Sequence, residues 1–258
     1  MATAAQAGSK IRGNDRFFFM MAIVMALTIV AGFSLSAAMG RSSFASPVRV
    51  HAHALIFMGW VALYLAQNYF VVAGRRDLHR ALGWIGMVWI VAMIAAGSVV
   101  TIAMVRNAEV PFFFTPAYFL VMDELTVLSF AALTIAAVVL RRATEWHRRL
   151  HYCGMAMLTG PGLGRLLPMP FLIPHAGLWV FSTLMLFPVI GILADLRRSG
   201  RVHPAWWWGC GAMSATMLLM EVVGNGPVGA AIYAQATAGS PGAAVPGQAY
   251  PAPPAWLH

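Results

Sequence analysis

Two short phrases carry the residue types most able to do chemistry. DLHRALGWIGM spans positions 77–87 and EWHRRLHYCGM spans 145–155. A shift of 68 positions lays His79 on His147, Arg80 on Arg148, Leu82 on Leu150, Gly86 on Gly154 and Met87 on Met155, with Asp77 on Glu145. Imidazoles from facing helices ligate haem iron or another metal, and guanidinium groups beside them hold propionates. On that reading His79 faces His147, or His151 one helical turn further in, and Arg80 and Arg148 take the propionates. A topological reading competes with it: the arginines anchor to lipid phosphates, the acids sit in the first turn of the next helix, and each histidine bridges interface and core.

A second set of ionisable residues lies inside apolar runs, where each is costly and therefore a functional candidate. At 1.5 Å per residue, His53, Asp123, Arg165 and Glu221 fall about 5–9 Å from one membrane edge. His51 and His175 flank that layer. If they converge, His53, Asp123 and Glu221 form a set suited to a divalent metal or a proton-coupled site. Alternatively Arg165 compensates Asp123 or its neighbour Glu124 as a charge pair.

These residues need elements that cross a bilayer. The chain has 258 residues, of which 60% are hydrophobic and 10% charged, and its mean hydropathy is +0.74. A soluble domain cannot carry such a surface. Continuous apolar runs of about 20 residues, rather than alternating ones, exclude a β-barrel and indicate an all-α polytopic membrane protein. Seven spans are expected, at 16–38, 50–73, 81–105, 117–140, 149–167, 177–196 and 205–223. The first run is long enough to span and carries no convincing cleavage site, so a removable signal peptide is not expected.

Arginine placement sets the orientation. Lys10, Arg12 and Arg16, then Arg75, Arg76 and Arg80, then Arg141, Arg142, Arg148 and Arg149, then Arg197, Arg198 and Arg201 fall at one end. Only Arg41, Arg49 and Arg106 fall at the other, which predicts N-terminus inside and C-terminus outside. The net charge of +9 is then a topology signal and not a sign of nucleic-acid binding.

The expected organisation is a cytoplasmic tail at 1–15, a transmembrane domain at 16–236 with repeated hairpins at about 50–105 and 117–167, and a disordered Pro/Ala/Gly-rich external tail at 237–258. TGPGLGR at 159–165 predicts a kinked or broken helix. Cys153 and Cys210 are expected as reduced thiols. Asp195 is expected to pair with Arg197 or Arg198 at the interface, and Trp206, Trp207 and Trp208 to form an interfacial belt. The methionines read as core or lipid-facing packing, and Gln67 and Asn68 as interhelical hydrogen-bonding groups.

A retinal protein is excluded because the single lysine, Lys10, precedes every span. The HxxxH pair of ceramidase-like membrane hydrolases is absent from the last span; His147 and His151 are the one such pair, in another helix. His53 with Phe57 and Trp60, the LHRxLG turn at Leu78–Gly83, the HRRL turn at His147–Leu150 and the late Arg165 resemble a group of bacterial seven-helix inner-membrane proteins. These are distantly similar to b-type cytochrome-like redox membrane proteins. The resemblance implies a bacterial cytoplasmic membrane location and brings no established activity with it; the paired His-Arg turns and the buried His/carboxylate layer carry the expectation of a redox-associated role, with haem b, a divalent metal or quinone as the ligand. An accessory subunit packing against lipid, pigment or partner helices is the alternative, and a membrane hydrolase or transporter the third.

Overall fold

A computed structural model describes residues 2–253, with side chains from Gly13 onward. Ten α-helices and two 3-10 turns account for the secondary structure, with no strand among the described residues. The helices are α1 (Ala2–Ala38), α2 (Val48–Val72), α3 (Arg76–Arg106), α4 (Pro116–Val139) and α5 (Thr144–Leu158), then α6 (Gly160–Leu166), α7 (Ala176–Leu184), α8 (Leu186–Ser199), α9 (Pro204–Gly224) and α10 (Pro227–Thr237).

The chain is a multi-pass membrane protein. Five helical stretches are long and apolar enough to cross a bilayer: Gly13–Ala38, Val48–Val72, Arg76–Arg106, Pro116–Val139 and Ala176–Ser199. α9 and α10 add a sixth if they count as one span, although they meet at a 72° bend. The expected fifth span at 149–167 is not among them. It breaks at Thr159 into α5 and α6, because Gly160, Pro161, Gly162 and Gly164 weaken the helix and Pro161 removes a backbone donor. The span Ala176–Ser199 also breaks, at Met185, where Pro188 cannot donate to the carbonyl of Leu184.

Two consecutive hairpins, α2–α3 and α4–α5, form the centre, joined where α3 packs on α4; α9 lies against α4 and α5. α4 is apolar around its circumference except at Asp123 and Glu124, and its first turns from Pro116 to Val121 are buried. α1 crosses α6 where Gly32 meets Gly162. A Cβ on Gly162 would stand 2.8 Å from the Cα of Ile29, so the two backbones touch. Small residues at such a crossing are what membrane packing favours, since lipid supplies no hydrophobic drive between helices. Met25, Met93, Met155 and Met213 are fully buried core residues.

The described part of the tail expected as disordered, residues 237–253, makes defined contacts with the helices. The Gly247 carbonyl accepts from the Ala117 N–H at 2.9 Å, an amide in the first turn of α4 that has no partner within its own helix. Gln248 Nε2 donates to the Gly224 carbonyl at the end of α9 at 3.1 Å. The Tyr233 hydroxyl donates to the Gly242 carbonyl at 2.9 Å, and the Tyr250 hydroxyl to the Pro174 carbonyl at 3.1 Å. A segment poor in side-chain chemistry is thus held through main-chain groups that helix ends leave open. Residues 254–258 of the expected tail, and the side chains of Lys10 and Arg12, lie outside the described residues.

Candidate functional site

α3 and α5 each start at the arginine-rich end and carry the repeated phrase in their first turns. Each turn folds its histidine back onto the helix before it. His79 Nδ1 lies 3.3 Å from the Gln67 carbonyl of α2, and His147 Nδ1 lies 2.7 Å from the Ala137 carbonyl of α4. A carbonyl can only accept, so Nδ1 carries the proton in both rings and Nε2 keeps a free lone pair.

Because α3 packs on α4, the two hairpins bring these rings together. The centroids of His79 and His147 are 6.1 Å apart, edge to face. His151, one turn along α5, stands 5.1 Å from His147. It makes no hydrogen bond among the described residues. Its ring is 6.4 Å from that of Tyr64 on α2, a residue sequence reasoning passed over. The signal was there in the i, i+4, i+7 run of Trp60, Tyr64 and Gln67 along one face of α2. Trp60 Nε1, Gln67 Oε1 and Thr134 Oγ1 in the same helices are buried without a partner, an uncommon condition that asks for an occupant or a chemical role. Asn68, expected to bridge helices, donates to the Tyr64 carbonyl of its own helix at 2.9 Å.

Of the two arginines in the phrase, Arg80 is exposed, and its Nε donates to the Arg76 carbonyl at 3.3 Å. Arg148 is committed elsewhere. It pairs with Glu145 and with Asp15 of α1 at 3.3 Å, and lies over the Phe18 ring. Its assignment to a propionate is therefore not supported.

Beside it lies an ion pair that the linear pattern concealed. Arg149, 3% exposed, donates to both carboxylate oxygens of Asp195, 6% exposed, at 2.7 and 2.8 Å. Asp195 also accepts from Trp206 Nε1 at 2.8 Å and from the His203 N–H at 3.3 Å. The expected pairing of Asp195 with Arg197 or Arg198 is replaced by this one, and Trp206 leaves the expected belt for the interior. Trp207 and Trp208 remain exposed. Glu145, ahead of the apolar part of α5, is pushed up by burial, but hydrogen bonds from Arg148 and Arg149 prevail and hold its carboxyl below the usual range.

The polar layer at the opposite end divides in two. Asp123 accepts from Thr101 at 3.2 Å, Glu124 accepts from Ser98 at 2.7 Å, and His53 Nδ1 lies 3.4 Å from the Ala96 carbonyl. Arg165 is near enough for charge–charge interaction with Asp123 and His53. Direct contact with Asp123 or Glu124 is not made, because its guanidinium donates to the Pro161 carbonyl at 2.8 Å and covers the Phe33 ring at 4.0 Å. Glu221 belongs elsewhere, accepting from Tyr118 at 2.9 Å and Asn225 at 3.0 Å. Among the described residues no three His, Cys, Asp or Glu side chains could hold a metal ion. His53, Asp123 and Glu221 do not converge, and neighbouring groups satisfy each one separately. Cys153 and Cys210 are free thiols.

No family model, no curated protein and no solved structure matches this chain.

Proposed function

We propose that this chain is a seven-span protein of a bacterial cytoplasmic membrane, N-terminus inside and C-terminus outside, which holds a redox group between its repeated hairpins. The carrying observation is the pair of imidazoles, His79 and His147, 6.1 Å apart with both Nδ1 atoms turned onto carbonyls. That tautomer leaves Nε2 as the ligating nitrogen, and a hydrogen-bonded Nδ1–H raises its basicity and fixes the ring. Imidazole donors suit iron, copper or zinc far better than hard cations. Haem b is the first candidate, with His151 as the alternative second ligand and Arg80 as the group available to a propionate. A bare metal ion would need a third donor, and among the described residues no group of three His, Cys, Asp or Glu supplies it, so a quinone at the same imidazoles is the second candidate.

The absorption spectrum and metal content of the protein purified from bacterial membranes test this. A Soret band with stoichiometric iron, lost in His79→Ala and His147→Ala, is the expected result. A protein with neither a Soret band nor stoichiometric metal overturns the haem and metal readings.

A second reading rests on the helix exteriors. Trp84, Val88 and Val91 of α3, and Trp207, Trp208 and Leu218 of α9, are each more than half exposed, which suits lipid, pigment or partner helices around an accessory subunit. Copurification in mild detergent tests it, and a clean isolated monomer counts against it.

A further inference from the structure

We propose that the end of the bundle opposite the histidine cluster contains a binding site for a single monovalent cation, sodium in the first instance, between Thr115 and Glu221. The site lies under the folded-back C-terminal segment, in a small cavity of about 20 Å³ lined by Thr115, Tyr118, Glu221, Asn225 and Tyr250. That volume admits one water-sized occupant.

The hydrogens around the cavity are largely spent. The Tyr118 hydroxyl donates to Glu221 Oε1, Asn225 Nδ2 donates to Oε2, and the Tyr250 hydroxyl donates to the Pro174 carbonyl. The two phenols therefore offer the cavity oxygen lone pairs, and Glu221 offers a carboxylate. Thr115 supplies the independent sign of an occupant. It precedes the first turn of α4, where a threonine hydroxyl ordinarily caps the helix. Here it makes no cap. Its Oγ1 is buried with no partner, and the residue is only 7% exposed.

Charge points the same way. Glu221 and Asn225 stand at the C-terminal end of α9, the negative end of its dipole, while Thr115 and Gly177 mark the positive N-terminal ends of α4 and α7, so the negative charge at the cavity is that of the Glu221 carboxylate. Among the described residues no basic side chain lines the cavity. One carboxylate with neutral oxygens matches one positive charge, whereas calcium sites draw on 6–8 oxygens, usually with several carboxylates. The site stands apart from the imidazole cluster and does not depend on it.

The test is the unfolding midpoint of the full-length protein in detergent, titrated with sodium chloride and, at equal ionic strength, with choline chloride. The wild type should show a saturable rise in sodium that choline does not give. Thr115→Val removes an oxygen that bonds to no protein group, so its midpoint in choline should match the wild type while the sodium increment falls or vanishes. Glu221→Gln should abolish the increment. Equal midpoints in the two salts would mean that the cavity holds an ordered water only and would overturn the proposal. A full sodium increment in Thr115→Val would overturn it too.

Discussion

His147 and Ala137 are joined by a 2.7 Å contact from imidazole Nδ1 to main-chain carbonyl, closing the tight turn between α4 and α5. His79 and Gln67 repeat it at 3.3 Å between α2 and α3. The same turn therefore serves structure through one nitrogen and leaves the other for chemistry.

The two nitrogens are separable by substitution. His147→Asn keeps a donor near the Nδ1 position and should hold a midpoint close to wild type while losing any group bound at Nε2. His147→Leu strands the Ala137 carbonyl and should cost about 1–3 kcal/mol as well. Unfolding midpoints read beside absorption spectra check this. Equal midpoints for the two variants would show that the carbonyl contact contributes nothing.

Asp195→Asn should be among the most damaging single changes. It takes the bidentate partner from the buried Arg149 and leaves only the half-exposed Glu145 as counter-ion, a loss of up to about 3–5 kcal/mol. The double variant Arg149→Met with Asp195→Leu should recover much of this by replacing the pair with apolar packing. Equilibrium unfolding in mixed detergents measures both. An unchanged Asp195→Asn protein would remove the pair from any structural role.

Acid should weaken the same corner through Glu145. Its folded pKa lies below the ordinary value of 4.5. Its contribution is therefore complete above that value and disappears as pH falls through the lower, folded one. Glu145→Gln should flatten the acid limb of a plot of midpoint against pH and leave the neutral region with the same slope. An acid limb of unchanged steepness would show that other carboxylates govern it.

At the crossing of α1 and α6, Gly162→Ala should destabilise by about 1–3 kcal/mol, since the added methyl meets the Ile29 backbone and a backbone cannot swing aside. Gly211→Ala, whose Cβ meets nothing within 4 Å, should be stabilising by up to about 1 kcal/mol through helix propensity. Opposite signs in one thermal assay check the contrast, and a stabilising Gly162→Ala would refute the close crossing.

How far the site was legible varies residue by residue. The meeting of His79 and His147 was readable because a hairpin written twice places equivalent residues at equivalent depths. The break at Thr159 was readable from glycine and proline, whose effects are local. Arg149 with Asp195 was not. The two are 46 positions apart on different elements, and nothing nearby distinguishes Arg149 from Arg148, which turns to Glu145 and Asp15 instead. The available clue was scarcity: with 8 acidic residues against 17 basic ones, an acid beside an arginine-rich end has several cations to choose among.

The composition and the length of the apolar runs alone made this an all-helical membrane protein, because hydropathy and 1.5 Å of rise per residue are properties of the chain whatever its partners. Which charges meet was decided only in three dimensions. Glu221 went to Tyr118 rather than to His53, and the plain C-terminal segment took the open amide of Ala117, because hydrogen bonds and ion pairs form between neighbours in space. Helix rotation and crossing, which hydropathy does not encode, choose those neighbours.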